Sequence, residues 1–230
     1  MIRAVIFDLD NTLTDFMRLK ETAVEAGVDG MLDAGLQLSR EEALAKIHQV
    51  YEREGIEDQQ AFDKFLLEEF GAIDYRIHAA GIVAYRRASV AALVPYPHVN
   101  YTLVELVKQG LRLAVVSDAP RLQAWLRLCA LNLHHLIDVV VTYEDTGQHK
   151  PHAAPFRRAL ESLGVEPAEA IMVGDWAERD VVGAKLLGMT TVFARYGDTK
   201  ATVHSGADYE IGDCVELLRI VREINAGARS

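Results

Sequence analysis

The sequence predicts an α/β fold, a doubly wound parallel sheet interrupted by an inserted helical segment. Short apolar runs recur along the chain, and they are continuous rather than alternating, as in strands buried on both faces of a sheet. From about residue 98 onward these runs alternate with helical patterns, which is typical of a doubly wound α/β layer. The segment between the first apolar run and residue 98 contains helical patterns and no convincing strand.

The predicted strands are short runs rich in Val, Ile and Leu that end in polar residues. They span residues 3–8, 111–118, 138–145, 169–175 and 189–195, with a last strand and a closing helix within 206–224. Helices are predicted within 98–110, 119–133, 152–164 and 178–188, three of them stopping at a glycine. We expect the helix that carries Trp125 to belong to the core.

The helical insertion is predicted to span residues 15–97, so that residues 1–14 and 98–230 form the α/β core. Within it, the stretches 40–55 and 59–71 place apolar residues at three- and four-residue spacing. Pro95 and Pro97 resist helix formation and mark the return to the core.

The amino-acid composition limits the kinds of partner that the protein is expected to bind. The 230 residues carry a formal net charge of −10 without a block of basic residues, which disfavours nucleic acid or an anionic membrane as the main partner. No run approaches the roughly 20 apolar residues that span a bilayer, and the N-terminus lacks the apolar stretch of a secretory signal. We therefore expect a cytoplasmic protein, monomer or homodimer, with Cys129 and Cys214 as reduced core thiols.

Polar residues follow three of the predicted strands. Asp8 and Asp10 come after the first, Ser117 and Asp118 after the second, and Asp175 after a later one. Because parallel strands end at one edge of a sheet, these oxygen atoms are expected to meet there. Mg²⁺ prefers a few carboxylates and leaves coordination positions for water and a substrate phosphate, so the pattern predicts a magnesium site.

Two further residues fit the same edge. Lys150 follows a strand and a turn, and its ammonium is placed to hold a phosphoryl oxygen and to offset the carboxylates. Asp180, five residues after Asp175, is placed to begin the next helix while meeting the metal or Lys150.

The stretches "DLDNT", the Ser117 strand end, "KP" and "GDWAERD" resemble the four motifs of the haloacid dehalogenase superfamily, in their usual order. The resemblance implies that superfamily's Rossmann-like core, and the insertion resembles its helical type-one cap. The chain further resembles a small phosphatase-like group within the superfamily, some members of which hydrolyse glyceraldehyde 3-phosphate.

The resemblance implies a role for each site residue. Asp8 would attack phosphorus and form an aspartyl-phosphate, and Asp10 would protonate the leaving alcohol and then deprotonate water. The phosphoryl group would be bound by the Ser117 hydroxyl, by nearby backbone N–H groups including that of Asp118, and by the Lys150 ammonium. The magnesium ligands implied by the resemblance are the Asp8 carboxylate, the backbone carbonyl of Asp10, and Asp175, with Asp180 in support.

The chain departs from the family pattern at two positions, mildly at the first. Asn11 stands where glycine is common, and Trp176 is bulkier than the residue usually found after the metal aspartate. Trp176 is expected either to pack against the cap or to narrow the leaving-group pocket. Arg86 and Arg87 form either a solvated face or a contact for an anionic leaving group.

The expected function is a Mg²⁺-dependent phosphatase of a small phosphorylated metabolite: a sugar or triose phosphate, or a compound like phosphoglycolate. Dehalogenating members of the superfamily have no aspartate at the position of Asp10, so its presence favours phosphate over halide. Two alternatives remain at this point. One is a sugar phosphomutase that uses the same aspartyl-phosphate, and the other is a regulatory module in which a phosphorylated aspartate is a signal.

Overall fold

The computed structural model describes residues 1–228, and it confirms the α/β prediction with one parallel sheet of six strands. The strands are β1 (Ala4–Phe7), β2 (Arg112–Val116), β3 (Val139–Val141), β4 (Ala170–Gly174), β5 (Thr190–Ala194) and β6 (Tyr209–Ile211). Their order in the sheet is β3-β2-β1-β4-β5-β6, all in parallel register. The chain therefore winds outward from β1 in both directions, which places the topological switch point at β1.

The strands are buried because helices cover them. The helices that follow β1 in the α/β unit are α5 (Val99–Lys108), α6 (Arg121–Ala130), α7 (Tyr143–Thr146), α8 (Ala153–Leu163), α9 (Val182–Lys185) and α10 (Leu217–Gly227). On one face, Phe156 and Leu160 of α8 pack in a cluster with Ile6 of β1 and Met172 of β4. A five-residue π-helical turn, Ala177–Val181, precedes α9, so the predicted helix over 178–188 begins with a widened turn.

The predicted strand over 138–145 is too long. β3 ends at Val141, and the residues from Tyr143 onward form the short helix α7. The cause is a capping box, in which the Asp145 carboxylate accepts hydrogen bonds from the backbone N–H of Thr142 at 2.8 Å and from its hydroxyl at 2.9 Å.

Helix α6 forms where the sequence predicts it but turns a different face inward. Its buried residues are Ala124, Arg127 and Leu128, whereas Trp125 is 39% exposed and Cys129 is exposed. The prediction of Cys129 as a core thiol is therefore wrong, and Cys214 is the buried cysteine. The helix contributes Ala124 and Leu128 to the core, but Trp125 itself is not buried.

The chain divides into two compact units, one formed by residues 1–15 with those from Val94 onward and the other by Phe16–Leu93. The second unit contains α1 (Phe16–Asp33), α2 (Arg40–Glu54), α3 (Ala61–Phe70) and α4 (Tyr75–Ala92). Helices α1 and α4 approach closely at Gly27 and Gly81, where a Cβ added to either glycine would lie 3.2–3.4 Å from the carbonyl oxygen of the other. No helix within residues 1–228 combines the length and apolar character that crossing a bilayer requires.

Candidate active site

The polar residues predicted at the strand ends do lie at one edge of the sheet. β1 leads directly into Asp8, whose backbone N–H donates to the carbonyl of Val173 on the neighbouring strand β4 at 2.9 Å. β2 leads into Ser117 and β4 into Asp175. This edge, next to β1, is where open α/β sheets bind ligands.

Three buried carboxylates form the centre of the site. Asp8, Asp175 and Asp180 each place an oxygen within 4.8 Å of the others. The Lys150 ammonium lies among them and donates to Asp8 at 2.6 Å and to Asp180 at 2.7 Å. The side chains of Lys150 and Asp180 are only 3% and 1% exposed, so these contacts are shielded from water.

The charges of this group shift its pKa values. Burial alone lowers the pKa of Lys150, but the charges of Asp180, Asp8 and Asp118 outweigh it and raise that pKa above its usual value. Burial, with repulsion from Asp8 and Asp180, raises the pKa of Asp175 to about 9. Burial also raises the pKa of Asp180, and the Lys150 charge opposes that rise. The Lys150 ammonium is thus insufficient to keep the Asp175 carboxylate ionised at neutral pH.

The loop after β1 is tied to Asp175. The Thr12 hydroxyl donates to the Asp175 carboxylate at 3.0 Å, and the Tyr196 hydroxyl donates to the Thr12 carbonyl at 2.9 Å. Asn11 has φ of 60°, in the left-handed region that asparagine tolerates better than most residues. This explains how asparagine replaces the glycine common at this position.

Gly174 lets Asp180 reach the centre of the site. A Cβ at position 174 would lie 2.3 Å from the Asp180 carboxyl carbon, closer than real contacts allow. Asp180 is held in this position by the backbone N–H of Trp176, which donates to its second oxygen at 3.0 Å.

The Asp10 carboxylate is engaged elsewhere. It is not a member of the three-carboxylate group, and one of its oxygens accepts a hydrogen bond from Arg127 of α6 at 2.7 Å. A ligand role for Asp10 at the centre would therefore fall to its backbone carbonyl.

The β2 strand end is arranged by hydrogen bonds of its own. The Ser117 hydroxyl oxygen accepts from the backbone N–H of Ala119 at 3.1 Å. The Asp118 carboxylate accepts from the backbone N–H of Lys150 at 3.0 Å and from Arg179 at 3.0 Å. Asp118 thus holds the Lys150 backbone with its side chain, which leaves its backbone N–H as the group that could meet a phosphate.

Trp176 lies against two cations of the α/β unit. The Arg179 guanidinium is 3.8 Å from the centre of its indole ring, and the Lys200 ammonium is 4.5 Å from it. The indole stack therefore supports Arg179, which in turn binds Asp118.

The donor set fits a divalent cation. Two or three buried carboxylate oxygens with excess negative charge are the ligands that hard divalent cations prefer, and such a cation would let Asp175 ionise at neutral pH. Asp8, Asp175 and Asp180 are thus able to hold a divalent metal.

Sequence reasoning missed Thr12, Arg127 and Arg179. Thr12 stands inside the quoted motif "DLDNT", which was a usable signal. Arg179 stands inside the quoted motif "GDWAERD", between Asp175 and Asp180. Arg127 stands in a helical stretch with no local pattern that points to the site, 117 positions from its partner Asp10.

Comparisons with known proteins give the family of the chain. Residues 5–194 match the family model of haloacid dehalogenase-like hydrolases. The chain is 36% identical to the glyceraldehyde 3-phosphate phosphatase of Methanocaldococcus jannaschii, with 97% of this chain and 99% of the relative covered. It is 37% identical to the enzyme of the same name from Methanopyrus kandleri, with the same coverage.

A solved structure agrees as well. The HAD phosphatase from Thermococcus onnurineus is 31% identical, and the superposition covers 96% of this chain and 98% of that one with a TM-score of 0.68. The chain belongs to the haloacid dehalogenase-like hydrolases. It is a phosphatase of that family.

Proposed function

We propose that this enzyme hydrolyses a small phosphomonoester through an aspartyl-phosphate at Asp8, with Mg²⁺ as its cofactor. The observation that carries the proposal is the buried group at the end of β1, where Asp8 lies 2.6 Å from Lys150 and beside two further carboxylates. The names of the two relatives support a triose phosphate, glyceraldehyde 3-phosphate, as the first substrate to test. Sugar phosphates and phosphoglycolate belong to the same class of compound.

Asp8 is the nucleophile in this proposal. Its carboxylate oxygen forms a bond to phosphorus while the ester P–O bond breaks, and the electron pair of that bond goes to the leaving oxygen. The product is a covalent aspartyl-phosphate, which divides one difficult displacement into two easier steps.

Asp10 transfers the protons. Its carboxyl group donates a proton to the leaving oxygen, which departs as the alcohol. The resulting carboxylate then takes a proton from water, whose oxygen attacks phosphorus. The bond between phosphorus and Asp8 breaks, its electron pair returns to Asp8, and inorganic phosphate is released.

The phosphoryl group is bound by the second strand end and Lys150. The hydrogen-bond donors are the Ser117 hydroxyl, the backbone N–H of Asp118 and the Lys150 ammonium. Their charge and dipoles stabilise the negative charge of the phosphoryl oxygens. Asp118 contributes again with its side chain, because it fixes the Lys150 backbone at 3.0 Å.

Magnesium would be held by the Asp8 and Asp175 carboxylates and the backbone carbonyl of Asp10, with Asp180 in support. When bound, such an ion neutralises charge on the phosphoryl oxygens. Lys150 keeps Asp180 in place for this role through its 2.7 Å contact.

The α-helical insertion is proposed to be the family's type-one cap, because it follows the strand that carries Asp8. Residues 15–97 were expected for it from sequence, and the compact helical unit spans Phe16–Leu93. Neither the phosphomutase nor the phospho-aspartate signalling alternative gains support from the two relatives, whose names both describe phosphatases.

The test is phosphate release from a panel of glyceraldehyde 3-phosphate, phosphoglycolate, sugar phosphates and nucleotides. We expect release in Mg²⁺, none in EDTA, and none from Asp8→Asn, whose circular dichroism should match the wild type. Full activity in Asp8→Asn would refute the mechanism. Isomer formation without phosphate release would favour a mutase, and a long-lived phospho-aspartate after treatment with acetyl phosphate would favour a signalling module.

A further inference from the structure

Arg127 lies in an unusual place for an arginine. It is in the middle of α6, on the buried face with Ala124 and Leu128, and its side chain is 9% exposed. Its neighbours Trp125 and Leu126 are exposed instead. The helix therefore turns a cation inward and leaves large apolar side chains in water, the reverse of the usual arrangement.

The guanidinium binds Asp10, a carboxylate of the β1 loop that is outside the central group. Arg127 donates to an Asp10 oxygen at 2.7 Å, and the Asp10 side chain is 19% exposed. A guanidinium is planar and always charged, so its hydrogen bond fixes the direction of a carboxylate more firmly than a solvated contact would.

Stability alone is a poor reason for this pair. Burial of an arginine carries a desolvation penalty, and the attraction within a single buried ion pair often does no more than offset it. An apolar residue would suit a helix face that also carries Ala124 and Leu128. A role in directing Asp10 accounts for the arginine where core packing does not.

We propose that Arg127 is a positioning residue, which holds the Asp10 carboxylate in the direction required for its two proton transfers. The inference rests on the proposed function, since a fixed direction matters only if Asp10 exchanges protons with the leaving oxygen and with water. Arg127 need not touch the substrate in this role.

A difference between substrates follows. The leaving alkoxide of glyceraldehyde 3-phosphate needs a proton as the ester bond breaks, whereas p-nitrophenolate is stable without one. A loss of Asp10 positioning should therefore slow transfer from the alkyl ester far more than from the aryl ester. General damage to the fold or to phosphate binding would slow both alike.

The experiment compares wild type, Arg127→Ala, Arg127→Lys and Asp10→Asn on these two esters in Mg²⁺. The matched control is Arg121→Ala on the same helix, whose exposed side chain pairs with Asp145 at 2.8 Å. We expect Arg127→Ala to lower kcat/KM for glyceraldehyde 3-phosphate by roughly 10²-fold and to lower it much less for p-nitrophenyl phosphate. Arg127→Lys should recover part of the loss, and Arg121→Ala should match the wild type.

Two further measurements distinguish a role of Arg127 in positioning Asp10 from a purely structural role. Because dephosphorylation of Asp8 also needs Asp10, Arg127→Ala should show a burst of p-nitrophenolate followed by slower turnover. In the Asp10→Asn background, Arg127→Ala should lower kcat/KM little further, since the two residues act as one unit.

Equal losses on both esters, or an unchanged kcat/KM on both, would overturn the role of Arg127 while the phosphatase stands. If the wild type releases phosphate from neither ester, the proposed function and the role of Arg127 both fail.

Discussion

The Lys150 ammonium lies between the carboxylate at the end of β1 and a carboxylate in the turn after β4, 2.6 Å from Asp8 and 2.7 Å from Asp180. Asp118 places it there by accepting the Lys150 backbone N–H at 3.0 Å. Lys150 is thus both a buried counter-ion for the folded protein and the cation nearest the proposed nucleophile.

Removal of the Lys150 charge should therefore cost stability as well as activity. We expect Lys150→Met to lower the free energy of unfolding by about 3–5 kcal/mol, because Asp8 and Asp180 lose a buried counter-charge. Urea unfolding in EDTA at pH 7 measures this. The control is Lys185→Met, which removes an exposed pair with Asp208 and should cost under about 1 kcal/mol. Similar losses in the two variants would contradict a buried counter-ion role.

Without metal, the protein should lose stability as pH rises. The folded-state pKa of Asp175 is raised to about 9, so between its ordinary pKa and about 9 the folded state holds a proton that the unfolded chain has released. That contribution is complete below the ordinary pKa of an aspartate and disappears as pH approaches 9. Melting temperatures in EDTA should therefore fall from pH 5 to pH 9.

Asp175→Asn is the matched control for this pH dependence. Its amide does not titrate, so the fall in melting temperature in EDTA should be smaller than in wild type. Added Mg²⁺ should also flatten the wild-type curve, because a bound cation favours the ionised carboxylate. A wild-type melting temperature in EDTA that rises with pH would contradict the assignment.

The backbone at Gly197 closely approaches the loop that carries Asp10. A Cβ there would lie 1.6 Å from the Asn11 carbonyl oxygen and 3.1 Å from the Asp175 Cβ. We expect Gly197→Ala to displace this loop, at a cost of about 1–3 kcal/mol in stability and roughly 10²-fold in kcat.

The control for Gly197→Ala is Gly227→Ala in α10. A Cβ at Gly227 meets no atom of residues 1–228 within 4 Å, so this change should leave kcat unaltered. Melting temperature and phosphate release measure both variants. Wild-type kcat in Gly197→Ala would show that the β1 loop tolerates displacement.

Local sequence pattern predicted the sheet because strand ends and apolar runs are local features. Asp8, Ser117 and Asp175 each follow a buried run, and parallel pairing brings such ends to one edge. The end of β3 was predictable too, since Thr142 and Asp145 have the spacing of a capping box.

Pairing across the fold was not predictable in the same way. The partnership of Arg127 with Asp10 depends on which face of α6 turns inward, and a helical period does not fix that face when apolar and charged residues mix. The same uncertainty led to the wrong prediction for Cys129, which is exposed. Arg179 likewise finds Asp118 only through the widened turn after Asp175.

Whether Asp8 is the nucleophile is tested most directly by mapping the phosphoryl group on the enzyme. Enzyme mixed with glyceraldehyde 3-phosphate and Mg²⁺ is quenched in acid within one turnover, digested, and analysed by mass spectrometry. We expect one added phosphoryl group on the peptide that contains Asp8 in wild type, and none in Asp8→Asn. Phosphate release in the same reaction with no phosphorylated Asp8 peptide, or with undiminished release by Asp8→Asn, would contradict it.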